Sequence, residues 1–280
     1  VTPLWAFTEW HRAVRNSTEA LGGQVRFIAY ASDTDPNISE AINENEYDVI
    51  FLSLPDREDS RLLELVSREN DRVVVMFRDM SMYGIRSLLG ADPVYIERFL
   101  ELLVERGHRR IAFVNHEACN EIFIARSNGY LEVMKSEGSF RPEYLIEFSA
   151  RAKTKLAVEP EQTPPDMTGV LDRLLVLPER PTAVILANDW AAFGFLQACA
   201  IRGVRIPDEF SIIGMDDSGN LCTLLKPTLS SVAMPFNRVS HFAACTLCDL
   251  IDGVGVHQRN TSSVVRIPGS LKQRDSIRTI

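Results

Sequence analysis

Short apolar runs rich in β-branched residues alternate along this chain with longer stretches of helical period. The candidate strands are residues 25–30, 49–52, 73–77, 111–114, 144–148, 184–187, 211–215 and 264–267. The candidate helices are 5–21, 60–69, 94–106, 122–137, 168–175, 190–202 and 237–252. Strands that alternate with helices argue for an α/β fold of parallel sheets joined by right-handed crossovers. A chain of 280 residues allows two lobes, each with its own core, and the pattern favours two smaller sheets over one large one.

The stretch 181–217, PTAVILANDWAAFGFLQACAIRGVRIPDEFSIIGMDD, is the most informative. It reads as strand, helix, strand, with polar residues just beyond each strand. Asn188 and Asp189 are good N-cap types for the helix that starts near Trp190. Gly203 suits a left-handed C-cap, and Pro207 keeps the connection from continuing as helix. Ligands of parallel α/β sheets bind outside the carboxyl ends of the strands. Asn188 and Asp216 are then two walls of one ligand site.

Other strand ends carry polar residues too: Arg78–Asp79, Asn115, and the pairs at Asn188–Asp189 and Asp216–Asp217. Arg126, early in the helix after the 111–114 strand, is long enough to reach the same place. Carboxylates accept, amides do both, and guanidinium donates in a planar fork. That set suits a neutral, polyhydroxylated ligand whose adjacent hydroxyls are held in pairs. Trp5 and Trp190 are the candidate apolar faces for a sugar ring, with core packing as the alternative for each.

Enzyme signatures are thin. The chain has no G-x-G-x-x-G, Walker loop, H-E-x-x-H or G-x-S-x-G. None of the five histidines stands at helical metal spacing from another. His108 reads as a turn residue, and His116 as a surface residue that could otherwise touch a ligand. No catalysis, cofactor or metal is expected.

The formal net charge of −8 disfavours broad nucleic-acid contact by this stretch of chain. No apolar run approaches the ~20 residues of a membrane-spanning helix. The five cysteines are an odd number in a chain that is not small, so a reducing, cytoplasmic setting is expected over a disulfide framework. Cys245 and Cys248 form a C-x-x-C inside an apolar helical stretch and read as core. Residues 153–166, with Pro160, Pro164 and Pro165, are the candidate flexible loop.

Five segments in order give a resemblance to a known family. They are ERGHRRIAFV, ARSNGY, PTAVILAND, GVRIPDEFSIIGMDD and KPTLSSVAMP. The chain resembles the effector-binding domain of the lactose-repressor (LacI/GalR) family of bacterial transcription regulators. The resemblance implies two doubly wound Rossmann-like subdomains of the type I periplasmic-binding-protein kind, joined by three crossovers. Residues 1–91 with 232–255 would form the N-terminal subdomain, and 92–231 with 256–280 the C-terminal one. The family has a strand before its first helix, so that strand and a helix-turn-helix are expected upstream of Val1.

The resemblance also implies site residues. The Arg of the family's R-x-x-G-aromatic helix matches Arg126, the Asn of its A-N-D turn matches Asn188, and the first Asp of its G-x-D-D turn matches Asp216. An Asp after the third strand matches Asp79, although FRDMSM departs from the family pattern. The aromatic near the family's first helix matches Trp5, with Thr2 in place of the usual Asn. Asp189 and Asp217 are set aside as capping or lobe contacts. The implied function is sensing: two lobes close on a small polar effector of the sugar class, and operator binding by the upstream segment changes in a homodimer. The alternative on the same fold is an extracytoplasmic sugar-binding protein of a transporter, and an enzyme is a third reading.

Overall fold

The computed structural model describes residues 4–28, 36–43, 47, 50–53, 60–68, 73–76, 79–90, 92–118, 121–148, 164–218, 220–235, 238–242, 245 and 264–280. The chain divides into two compact units. The first gathers Val1–Gly90 and Pro235–Pro268; the second gathers Ala91–Thr154, Glu161–Met234 and Gly269–Ile280.

In the first unit the helices are α1 (Leu4–Ala20), α2 (Pro36–Asn43) and α3 (Ser60–Arg68). Its strands are β1 (Ile50–Ser53), β2 (Val73–Met76) and β3 (Arg86–Gly90), joined much later by β9 (Val264–Ile267). They form a parallel sheet in the order β1-β2-β3-β9. Val73, Val75, Ile85, Ile42 and Val66 pack one side of it, and Val74, Met76, Leu88, Val239 and Ile267 the other. A strand buried on both faces needs apolar residues at consecutive positions, as VVVM supplies in β2.

Three expectations change here. Residues 25–28 form no strand; half-buried and exposed positions alternate along them, and no ladder partner is present among the described residues. The strand β3 and the helix α2 were not read from the sequence. The last crossing between units falls at Pro268–Gly269, not near Gly255, because Val264–Ile267 pairs in register with Ser87–Gly90 of the first sheet.

The second unit carries α4 (Asp92–Glu105), β4 (Ile111–Asn115), α5 (Glu121–Ser136), β5 (Leu145–Glu147), α6 (Thr168–Leu175), β6 (Ala183–Leu186), α7 (Asp189–Arg202), β7 (Ser211–Ile213) and the short α8 (Leu221–Leu224). Its parallel sheet runs β5-β4-β6-β7. β8 (Ser231–Ala233) continues beside β7 through the Ile213–Ser230 bridge and pairs antiparallel with β10 (Ser270–Lys272). One core, around Phe195, Phe210, Leu171 and Tyr144, lies on one face; the other, around Phe99, Phe113, Tyr130 and Ile96, on the opposite face. Burial at about 25 cal/mol per Å² makes these two layers the main stabilising term of the unit.

The sheet order decides where a ligand can go. From β4 the chain turns to β5 on one side, then crosses to β6 on the other. The sheet therefore opens between the carboxyl ends of β4 and β6, the switch point where open α/β sheets bind ligands. Most of residues 153–166 and Cys248 lie outside the described residues. Cys245 is half-buried, with its Sγ 3.6 Å from His241 Nε2.

Candidate functional site

Arg126 lies one turn into α5, almost wholly buried. Its Nη1 donates to the carbonyl of Ala187 at the end of β6. Its Nη2 donates to Asp216 Oδ1 at 3.1 Å beyond β7. One planar guanidinium thus spans the ends of two strands, as only a forked donor can. The Phe123 ring lies under it, 5.2 Å from the guanidinium carbon to the ring centroid.

Local sequence positions the Arg126 helix. Asn115, the last residue of β4, donates from Nδ2 to Phe123 O at 3.1 Å and to Ser127 Oγ at 2.9 Å. Its Oδ1 accepts from the Glu117 amide at 3.0 Å. His116 is buried, not at the surface, and meets the Phe123 ring edge-on at 5.6 Å. Its Nε2 lies 3.7 Å from Glu117 Oε1. A histidine after a strand reads as a surface residue until the chain that covers it is known.

Asn188 caps α7. Its backbone is extended, φ −154°, and its Oδ1 accepts from the Ala191 amide at 2.7 Å. Its Nδ2 makes no hydrogen bond among the described residues. Trp190, in the first turn of the same helix, is half-buried, with its ring 5.7 Å from that of Phe193. Gly203 closes the helix in the left-handed region, φ 70°.

Asp216 and Asp217 have φ of 106° and 51°, where side chains other than glycine are rare. The Asp216 amide donates to Val232 O at 3.0 Å. Arg274 Nη2 donates to Asp217 Oδ1 at 2.7 Å. Asp189 does not cap. It is fully buried, accepts from Ser218 N at 2.7 Å and from Ser231 Oγ at 2.6 Å, and its own amide donates to Met215 O. Burial pushes its carboxyl up to about 6, against the opposing pull of the Ser231 and Ser218 donors.

His108 is buried rather than a free turn residue. Its Nδ1 meets Thr182 Oγ1 at 2.8 Å, and its Nε2 meets Ser211 Oγ at 3.0 Å and Arg278 O at 3.1 Å. It ties the amino ends of β6 and β7 to the last segment of the chain, at the edge opposite the candidate site.

Of the residues singled out in the sequence, Arg126, Asn188 and Asp216 come together at one edge of the second unit's sheet, with Trp190 in the first turn of the adjoining helix. Asp79 belongs to the first unit. Its Oδ1 accepts from Ser81 N and Oγ, at 3.1 and 2.6 Å, and its Oδ2 from Arg266 Nη2 at 3.0 Å. The Ser81 hydroxyl bond is the chief cause of its lowered pKa. Trp5 falls in the first turn of α1, and its side chain lies outside the described residues. No group of three or more metal-ligating side chains occurs among the described residues, nor any helix long and apolar enough to cross a membrane.

The family described as "Periplasmic binding protein-like domain" matches residues 100–277. Among curated proteins, the "probable HTH-type transcriptional repressor ExuR" of Bacillus subtilis is 28% identical over 212 residues, 76% of this chain and 60% of that protein. Catabolite control protein A of Priestia megaterium is 27% identical over 179 residues, 63% of this chain and 49% of that protein. The chain therefore spans about half to three fifths of the length of such relatives. Among solved structures, a LacI-family regulatory protein from Chloroflexus aggregans superposes with a TM-score of 0.79 at 23% identity, covering 97% of this chain and 92% of that one. The Escherichia coli transcriptional repressor ascG gives 0.76 at 21% identity, covering 97% and 94%.

Proposed function

We propose, from the premise that this chain belongs to the periplasmic binding protein-like family as a LacI/GalR-type effector-binding domain, that it is the sensing part of a transcriptional repressor. The observation that carries the reading is the Arg126 fork, which reaches from the helix after β4 to Ala187 O at the end of β6 and Asp216 beyond β7, along the carboxyl edge of the sheet beside its switch point. A guanidinium, a carboxylate and the Asn188 amide offer donors and acceptors in pairs, as adjacent sugar hydroxyls require. The Trp190 indole adds an apolar face beside them. Asp79 and Trp5 are the first unit's candidate contributors to the same ligand.

The relatives are named as transcriptional repressors, a regulatory protein and a catabolite control protein, and the chain's role is binding rather than catalysis. Operator contact belongs to a helix-turn-helix segment outside this sequence, and the working assembly is a homodimer in the cytoplasm. The three described cysteines whose state is defined, Cys199, Cys222 and Cys245, are free thiols, which suits a reducing compartment.

A thermal-shift screen of neutral monosaccharides and nucleosides tests the reading, because a ligand that prefers the native state raises its melting point. A member of the screen should stabilise the wild type and lose that effect in Arg126→Ala. Stabilisation that survives Arg126→Ala and Asp216→Asn unchanged would place the ligand elsewhere.

A further inference from the structure

We propose that Asp189 is the positioning residue of the Arg126–Asp216 wall, holding the 216–218 turn that presents Asp216 and fastening that turn to β8. Its meaning for the ligand presupposes the effector reading of Asp216; the holding itself does not.

The turn needs a holder. Two successive non-glycine residues at positive φ cost on the order of 1–2 kcal/mol each and persist only where surrounding contacts impose them. Asp189 supplies contacts on both sides. Its Oδ2 accepts from the Ser218 amide at 2.7 Å, just past the strained pair. Its Oδ1 accepts from Ser231 Oγ at 2.6 Å, and that hydroxyl in turn accepts from the Asp217 amide at 3.0 Å. The Asp189 backbone amide fixes the approach to the turn through Met215 O at 2.8 Å. Gly214 leaves room for the carboxylate: a Cβ there would lie 2.2 Å from Asp189 Oδ1.

The same carboxylate reaches β8, the last strand before the chain leaves the unit at Met234. Ser231 opens β8, and Asp216 pairs with that strand through its amide to Val232 O and its carbonyl to the Met234 amide, at 3.0 and 3.3 Å. Asp216 therefore cannot shift without disturbing Ser231 and Asp189. The groups facing Asp189 from each side are few. α8 contributes the Cys222 thiol, whose pKa burial pushes up, so it stays protonated. The turn contributes Asp217, already paired with Arg274. β8 contributes only Ser231, and the Arg126–Asp216 pair lies beyond the turn. No cation pairs with Asp189 among the described residues; neutral donors hold it.

Amide hydrogen exchange read by NMR tests this. Asp189→Ala should lower protection of the Asp217 and Ser218 amides at least tenfold, with β4 and α5 unchanged. Ser231→Ala should release the Asp217 amide alone, and Arg126→Ala should release neither. A pH profile separates positioning from mere packing. The closed turn buries the carboxylate, so closing favours the protonated form; protection relative to intrinsic exchange should rise in the wild type as pH falls through about 6. Asp189→Asn should give a flat profile and also serves if Asp189→Ala fails to fold. Wild-type protection in Asp189→Ala and Ser231→Ala, or a profile shared by Asp189→Asn, would overturn the proposal. In the sugar and nucleoside screen, Asp189→Ala should lose the shift as Arg126→Ala does. A full shift despite a loosened turn would also overturn it. If no compound stabilises the wild type, the effector reading fails while exchange still decides the role of Asp189.

Discussion

Arg126 Nη2 and Asp216 Oδ1 stand 3.1 Å apart although 90 residues separate them, with side chains only 4% and 14% exposed. A pair this enclosed is costly to break by halves, because the remaining charge loses its partner without regaining water. The fork also serves the Ala187 carbonyl, so the guanidinium has a structural duty alongside its proposed ligand contact.

Arg126→Ala should therefore weaken binding of a stabilising sugar or nucleoside by roughly 1.5–3 kcal/mol, the range for charge-assisted hydrogen bonds. Arg126→Lys should not restore it, since one ammonium cannot reproduce a planar fork that reaches two acceptors. Isothermal calorimetry on both variants checks this. Wild-type affinity in Arg126→Lys would mean that charge alone suffices.

Asn188 has a capping role and a proposed ligand contact, which substitution can separate. Asn188→Ala should cost about 1 kcal/mol of stability by removing the Oδ1 acceptor of the Ala191 amide. Asn188→Asp keeps the acceptor and loses the amide donors. Urea unfolding of Asn188→Asp should match the wild type while ligand affinity falls. Unchanged affinity would confine Asn188 to its capping role.

His108 predicts an acid sensitivity. Burial, the largest cause, holds its pKa below the ordinary 6.5, so the folded chain keeps the ring neutral. The unfolded chain takes up a proton as pH drops below about 6.5, and the folded one resists. Stability from this group is thus present above that pH and is lost as pH falls below it toward the lowered folded-state value. Melting curves from pH 7.5 to 5 should show a slope that His108→Gln removes. Asp189 acts in the opposite sense, so the two are separated by measuring each variant alone.

Gly214→Ala should destabilise by at least about 1–3 kcal/mol, the usual cost of overpacking, because its methyl would press on a buried carboxylate oxygen. Equilibrium denaturation measures it. The same substitution in Asp189→Ala, where that oxygen is gone, should cost distinctly less. Equal costs in the two backgrounds would remove Asp189 as the obstacle.

Much of the second unit was legible in the chain. The apolar run at 183–186, the capping Asn188 and the left-handed Gly203 each act within a few residues, so their signals are local. The strand β3 was missed because Arg86 and Ser87 interrupt its apolar run, and its partners β2 and β9 supply the ladder. β8 and β10 are three residues each and gain strand geometry from each other. Residues 25–28 have strand-like composition without a partner to pair with among the described residues.

By itself, the sequence determined the alternation of strand and helix, the caps, and which polar side chains stand at strand ends, because periodicity and capping are short-range. Tertiary structure alone decided which of those side chains meet. It brought Arg126 to Asp216 and put His108, His116 and Asp189 inside. Burial and pairing depend on segments distant in the chain, and no residue type encodes the water that folding removes from around it.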